Sequence, residues 1–334
     1  MPGSDAPQEG QNVTENDSQK YAFFGGEIVP YEDAKVSVMT HALNYGTGVF
    51  EGIRAYWSEE TEELYLLLVR EHYRRFLKNS AMLFIDVPYS VDQLTEITID
   101  LLKKHGFRRD IYVRPLAYKS SEHIGVSMQG IDDALAILAV PFGDYVPMDR
   151  GLNVCISSWT RTDDNSIPAR AKVTGNYVNS ALAKNEAVLN GFDEAVVLNS
   201  QGFVSEASAA NIFLVRNGVL VTPGFGDTIL EGLTREAVIK LAQDEMGVKT
   251  VERQIARSEL YYADEMFLCG TGVQVAPITR VDHRLVGNGE IGPISRQLQS
   301  LYFDAARGKH AAFRDWLTPV YGAARVPASS AAGD

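Results

Sequence analysis

The chain has 334 residues, 45% of them hydrophobic, and its 31 basic against 43 acidic side chains give a net charge of −12. That length accommodates two domains of roughly 100–200 residues each with a buried site between them, and the composition is that of a globular protein. The acidic balance lacks the basic footprint a nucleic-acid backbone demands, so nucleic acid is excluded as a partner and any anionic ligand must be met by a few locally placed arginines.

Residues 1–19 are rich in Gln, Asn, Ser, Asp and Glu and read as a tail, as does the Ala/Ser-rich stretch 322–334. Residues 21–24 and 27–29 flank Gly25-Gly26, a two-residue hairpin signal, and further strands are expected at 49–57 and 64–68. Over 70–84 the apolar Tyr73, Phe76, Leu77, Ala81 and Phe84 recur at helical spacing. Ser90-Val91-Asp92-Gln93 is a capping box opening a helix with Leu94, Ile97, Leu101 and Leu102 on one face, closed by Gly106. Strands are expected at 111–118 and 134–140. Pro141, Gly143, Pro147 and Gly151 then punctuate the chain, placing an interdomain loop at 143–151 between domains at 20–142 and 152–321.

The second half alternates. A strand at 152–157 precedes a helix at 177–190 stopped by Gly191, and a strand at 194–198 follows. Asn217-Gly218 turns a hairpin between 212–215 and 219–222. A helix at 234–245 ends at Gly247, a strand covers 248–254, and Gly270-Thr271-Gly272 separates strands at 265–269 and 273–279. There is no internal repeat. Cys155 and Cys269 lack Cys-x-x-Cys or Cys/His ligand spacing, so neither a disulfide framework nor a metal site is indicated, and a reducing cytoplasm fits. The start carries no signal-peptide pattern, and the apolar run 134–142 is too short to span a bilayer, so a soluble protein without a membrane partner is expected.

Lys172, within Ala171-Lys172-Val173-Thr174-Gly175-Asn176-Tyr177, is the most informative residue. A lysine amine condenses with an aldehyde only after losing its proton, which needs desolvation or a cationic neighbour. A pyridoxal phosphate cofactor asks for such an amine, a cradle for a phosphate dianion, a carboxylate for the pyridine nitrogen and a donor to the ring phenolate. The glycine-containing turn Leu230-Glu231-Gly232-Leu233-Thr234-Arg235 runs straight into a helix start, where backbone N–H groups suit a phosphate. Each piece alone has an ordinary reading. Lys172 is a surface lysine, Thr234 a helix N-cap, Arg75 a solvated helix arginine, Glu206 a carboxylate on a surface turn, Tyr45 and Tyr112 core aromatics, and Arg114 an edge-strand arginine before Pro115.

Together the motifs resemble the class IV pyridoxal phosphate aminotransferases. The resemblance rests on Lys172 in Ala-Lys-x-x-Gly-Asn-Tyr, Ser205-Glu206 followed by Asn211-Ile212-Phe213, Leu230-x-Gly-Leu-Thr-Arg235, and Gly270-Thr271-Gly272. His41-Ala42-Leu43-Asn44-Tyr45-Gly46-Thr47-Gly48-Val49-Phe50-Glu51-Gly52-Ile53-Arg54 and Arg70-Glu71-His72-x-x-Arg75 are similar to the branched-chain amino acid aminotransferases, in order over about residues 21–308.

That resemblance implies a two-domain α+β and α/β fold of type IV, with a smaller N-terminal α/β domain and a larger C-terminal domain whose β-barrel-like core is flanked by helices. It implies pyridoxal phosphate held on Lys172, the general base, with Glu206 at the pyridine nitrogen and Tyr177 at the phenolate. Arg75, Leu230, Leu233, Thr234 and Thr271 complete the cofactor cradle. The amino acid α-carboxylate would meet Thr271-Gly272-Val273, with Gly52 and Arg54 lining the same mouth. Tyr45, Arg114 and Tyr145 would receive the distal carboxylate of glutamate against a wall of Phe50 and Tyr112. The implied reaction is ping-pong exchange of an amino group between branched-chain L-amino acids and 2-oxoglutarate, in branched-chain amino acid biosynthesis. A homodimer or larger homo-oligomer follows, since the loop of Tyr45 reaches the neighbouring subunit's site in that family. Gly48 and Val173-Thr174 depart from residues often found there, which bears on pocket width. The rivals are a D-amino acid or (R)-amine transaminase, an aminodeoxychorismate lyase, and a non-catalytic α/β binding protein.

Overall fold

A computed structural model describes residues 20–143 and 150–322, so Tyr145, most of the expected interdomain loop and nearly all of both tails lie outside the described residues. The first half opens with the hairpin β1 (Tyr21–Phe24) and β2 (Glu27–Pro30), turned by Gly25 and Gly26. A short helix α1 (His41–Tyr45) leads to β3 (Gly48–Phe50), β4 (Ile53–Ser58) and β5 (Glu63–Leu67). Two helices follow, α2 (Val69–Met82) and α3 (Val91–His105), and then β6 (Ile111–Lys119) and β7 (Asp133–Pro141). The capping box forms as expected, Ser90 and Gln93 exchanging side-chain and backbone hydrogen bonds, and Gly106 ends α3 at φ 66°.

The second half comprises β8 (Leu152–Thr160), α4 (Tyr177–Leu189), β9 (Glu194–Leu198), β10 (Val204–Ala207), β11 (Asn211–Arg216), β12 (Val219–Thr222) and α5 (Leu233–Met246). It continues with β13 (Thr250–Glu252), β14 (Glu265–Gly270), β15 (Gln274–Val281), β16 (Arg284–Leu285), α6 (Pro293–Ala306) and β17 (Leu317–Pro319).

These strands form two sheets. The first is antiparallel in the order β17-β5-β4-β6-β7-β1-β2, with β3 also beside β6, and α2 and α3 cover a core containing Tyr73, Phe76, Leu94, Leu101 and Val113. The second is mixed, in the order β10-β9-β8-β15-β14-β11-β12-β13, with parallel pairs β8/β9, β8/β15 and β12/β13. Both of its faces are buried. Ile212, Leu214, Met266 and Leu268 point to one core, while Phe213, Val215 and Phe267 meet α5 and α6 on the other, so strand alternation reads as a continuous apolar run. Phe213 and Phe267 stack with ring centroids 5.0 Å apart. Small residues, Ala183 and Ala187 of α4 and Ala195 of β9, let α4 lie close on the sheet.

Several elements differ from the sequence expectations. The strand expected over 49–57 breaks at Glu51-Gly52, because Glu51 turns inward to pair with α2. The helix expected to 84 ends at Met82, leaving Phe84 63% exposed at φ 54°. The expected strand 248–254 contracts to Thr250–Glu252, the part that pairs with β12. Thr234 is not an N-cap: Gly232 occupies that position, and Thr234 sits in the first turn of α5, 6% exposed.

Candidate active site

A cavity of about 670 Å³ opens between the two sheets. Its floor is the segment linking β8 to α4. That segment is stitched to the first sheet: the Phe50 N–H donates to the Lys172 carbonyl at 3.1 Å, the Gly175 N–H to the Gly46 carbonyl at 3.1 Å, and Thr174 Oγ1 to the same carbonyl at 2.7 Å. The contact needs two glycines. A Cβ on Gly46, which has φ 69°, would stand 2.7 Å from the Gly175 Cα. Lys172 thereby enters the cavity with Nζ donating to the Tyr177 hydroxyl at 2.6 Å and lying 5.0 Å from the Phe50 ring centroid.

Glu206, on β10, lines the cavity at 3% exposure. It is a buried strand residue, contrary to its reading as a surface turn carboxylate. Its Oε1 lies 2.6 Å from Arg161 Nη2, and its Oε2 accepts from Asn211 Nδ2 at 3.0 Å and from the Leu230 N–H at 3.1 Å. Burial pushes the carboxyl above its usual value, opposed by Arg161, the Leu230 amide and Lys172.

Elsewhere in the cavity, Gly232, Leu233 and Thr234 bring the start of α5 beside Arg75 of α2. The N–H groups of a first helical turn have no partners within the helix and carry the positive end of its dipole. Arg75 is not solvated. Its Nε and Nη2 donate to Glu51 at 2.7 and 2.8 Å, and Nη1 to the Glu231 carbonyl at 2.6 Å. His72 Nδ1 meets Glu51 at 2.8 Å. Burial alone would raise the Glu51 carboxyl, but Arg75 and His72 outweigh it and hold it well below the usual carboxylate range.

The remaining wall comes from the first sheet. Tyr112 and Arg114 alternate with the buried Val113 on β6, which is paired by β4 and β7, so Arg114 is interior rather than on an edge strand. Arg114 donates to the Tyr112 hydroxyl from Nη2 at 2.7 Å and stands over the Phe50 ring, 4.3 Å from its centroid. Gly52 lies so close beneath the Tyr112 hydroxyl that a Cβ there would collide with it. The turn Thr271-Gly272-Val273 closes this side, and Leu230 lines the cavity as well.

One residue expected at the mouth, Arg54, is placed otherwise. Arg54 is 1% exposed behind the turn, its guanidinium spent on four carbonyls: Phe142 at 2.6 Å, Gly143 at 2.9 Å, Gly272 at 3.1 Å and Thr271 at 3.2 Å. Because peptides are planar and trans, the Gly272 and Val273 N–H groups point away from that guanidinium. Tyr45 is not among the lining residues of its own chain's cavity. It is 37% exposed on α1, and its hydroxyl accepts from the Gly125 N–H at 3.0 Å. Sequence reasoning assigned nothing to Arg161, Asn211, Glu51 or His72. The last three stood within quoted motifs, whereas Arg161 had no local signal.

Among the described residues no group of three or more His, Cys, Asp or Glu could hold a metal ion, and no helix is long and apolar enough to cross a membrane. The arrangement suits chemistry on a small anionic ligand bearing an electrophile that an amine can reach.

The model of the amino-transferase class IV family matches residues 48–281, and the chain belongs to that family. Within it, the chain is 52% identical over 304 residues to a protein of Aquifex aeolicus named a probable branched-chain-amino-acid aminotransferase, spanning 91% of this chain and 98% of that one. A branched-chain aminotransferase of Thermoproteus uzoniensis, solved with norvaline, superposes with a TM-score of 0.87 at 41% identity, over 91% of this chain and 100% of the other. The branched-chain amino acid aminotransferase of Thermobaculum terrenum, solved in its PLP-form, gives a TM-score of 0.87 at 37% identity, over 91% and 99%.

Proposed function

We propose that this chain is a pyridoxal-phosphate-dependent aminotransferase that exchanges an amino group between the branched-chain L-amino acids leucine, isoleucine and valine and 2-oxoglutarate. One observation carries the reading: a single cavity holds an amine touching a phenol, a buried carboxylate, and an arginine-flanked helix start, beside a largely apolar wall that carries Arg114. These donors fit the cofactor group by group. The cationic helix start matches a phosphate dianion, Tyr177 a phenolate, and Glu206 a ring nitrogen. When bound, pyridoxal phosphate supplies an aldehyde to carry the amino group and a protonated ring to accept the electron pair of a broken Cα–H bond.

The protein does the rest. Lys172 Nζ would anchor the cofactor aldehyde and, when free, would carry the proton from the substrate Cα to the carbon of that former aldehyde, so one amine is both tether and general base. Tyr177 donates to the phenolate and keeps Nζ in place. Arg75, with the Leu233 amide, Thr234 and Thr271, holds the phosphate, while Glu51 and His72 fix Arg75. Leu230 lines the cavity where it would flank the ring, and it pins Glu206 through its N–H. The Gly272 and Val273 amides receive the α-carboxylate, in a turn that Arg54 fastens from behind.

Selectivity for two unlike substrates follows from the wall. Phe50, Tyr112 and Gly52 present a shape for an apolar side chain, each buried CH₂ contributing about 0.8 kcal/mol. Arg114, with Tyr145 and a Tyr45 supplied by a second subunit, meets the distal carboxylate of glutamate, which would otherwise be buried unpaired at high cost. The exposed apolar residues beside Tyr45, Leu43 at 62% and Val38 at 79%, support a homodimer as the working unit. The division into domains at 20–142 and 152–321, and a cytoplasmic location, belong to the same reading.

Borohydride reduction of the cofactor-loaded protein, followed by peptide mass spectrometry, tests the anchor: the pyridoxyl group is expected on Lys172, and its recovery on another lysine refutes the assignment. A panel of L-leucine, L-valine, D-alanine and an (R)-amine tests the substrate class. Faster turnover of D-alanine or the amine would favour the rival transaminases of the same fold.

A further inference from the structure

Arg161 follows β8 and belongs to none of the motifs that carry the family resemblance. It is 7% exposed, and its Nη2 lies 2.6 Å from Oε1 of Glu206. Its Nη1 donates to Ser180 Oγ of α4 at 3.3 Å, and its backbone N–H donates to the Leu198 carbonyl of β9 at 2.8 Å. Three elements thus aim one cation at one carboxylate oxygen. The other oxygen is already occupied by Asn211 and the Leu230 amide.

We infer that Arg161 is a positioning residue that keeps the proton shared between Glu206 and the cofactor's pyridine nitrogen on the nitrogen. The inference rests on the reading of Glu206 given above.

A carboxyl withdrawn from water favours its neutral form, and an unpaired Glu206 would compete with the ring nitrogen for the proton. The titratable groups around it are Arg161 from the end of β8, Lys172 from the segment before α4, and Cys269 from β14. Among the forces on Glu206, burial is the largest and Arg161 the largest opposing one. A guanidinium cannot give up its own proton in a protein, so its pull is permanent. An opposite charge at this range lowers a carboxyl by roughly 1–3 units, so its removal moves the shared proton toward Glu206 about 10- to 1000-fold. The ring then loses the positive charge that stabilises electrons arriving from Cα.

The test uses holoenzyme reconstituted with pyridoxal phosphate isotopically labelled in its ring nitrogen, whose protonation is read by nitrogen NMR. The parent is expected to show a protonated nitrogen, Arg161→Met an unprotonated one, and Arg161→Lys a protonated one. In Arg161→Met, kcat is expected to fall by at least about tenfold while KM for L-leucine changes by less than about threefold. In a Glu206→Gln background the Arg161→Met change should cost nothing more, because the group through which it acts is gone. If Arg161→Met does not fold, Arg161→Gln replaces it with the same expectations. A protonated nitrogen in the neutral variants, or a further loss in the Glu206→Gln background, overturns the inference alone. A nitrogen still protonated in Glu206→Gln itself overturns the reading of Glu206, and the inference with it.

Discussion

Replacing Arg114 by alanine removes the cation that the cavity wall presents to a substrate side chain. In the structure its Nε and Nη2 each donate to the Tyr112 hydroxyl, at 3.2 and 2.7 Å, which leaves its remaining N–H groups for a ligand. A charge-assisted hydrogen bond contributes about 1.5–3 kcal/mol, so losing one from glutamate alone lowers kcat/KM for glutamate by about 12- to 150-fold. Leucine has no distal anion, and its apolar contacts with Phe50 and Tyr112 survive, so its kcat/KM should stay within about threefold. The assay is steady-state kinetics of both half-reactions with each donor in turn. Equal proportional losses for glutamate and leucine would refute the assignment, because they would mean that Arg114 supports the wall rather than recognising charge.

Four other outcomes are expected. Gly46→Ala forces a left-handed backbone on alanine and a Cβ against Gly175, so the thermal midpoint should fall in step with about 1–3 kcal/mol of lost stability, and cofactor retention should weaken. Glu51→Gln should cost about 1.5–3 kcal/mol near neutral pH, since it takes the charged partner from the half-buried Arg75 and leaves it the Glu231 carbonyl. Because the folded Glu51 carboxyl lies below its unfolded value, that stability is complete above the unfolded pKa. The gap between parent and variant in denaturant titrations should therefore narrow as pH falls from about 5 towards 3. Gly232→Ala drives a Cβ into the Asn211 side chain that holds Glu206, and should raise the dissociation constant for pyridoxal phosphate in equilibrium dialysis. Finally, Cys155 and Cys269 are buried with thiols pushed up to about 11 and about 12, so both should resist iodoacetamide in the native protein and react only on unfolding.

What could be read in advance was local. The Ser90 capping box, the Asn217-Gly218 hairpin and the helix stop at Gly106 depend on neighbouring residues alone, and each formed where its signal stood. That Arg75, Tyr177, Glu206 and Thr234 share a cavity with Lys172 was legible because each falls in a contiguous motif that carries the family resemblance. Arg161 was not, since its charged partner Glu206 lies 45 positions away, and an arginine in Trp-Thr-Arg-Thr-Asp-Asp resembles any surface residue. Thr234 misled for a related reason. A threonine before an apolar run suits a cap, but Gly232 takes that position where Asn211 crowds any side chain. Helix α6 did carry a signal, Pro293 at its start with Leu298, Tyr302 and Ala305 on its buried face, and went unassigned. The short strands β10, β16 and β17 have two to four residues each and leave no periodicity to detect.

The strand at Leu317–Pro319 closes the edge of a sheet whose other members all precede residue 142. Its neighbours Val320 and Tyr321 donate their N–H groups to Glu63 Oε1, across 257 and 258 positions of chain. During synthesis, then, the earliest sheet stays open along β5, with the buried Glu63 lacking two of its donors, until the whole stretch between β5 and β17 has been made. Such distant closure slows folding, and it leaves the nascent chain with an unpaired edge while every intervening residue is added.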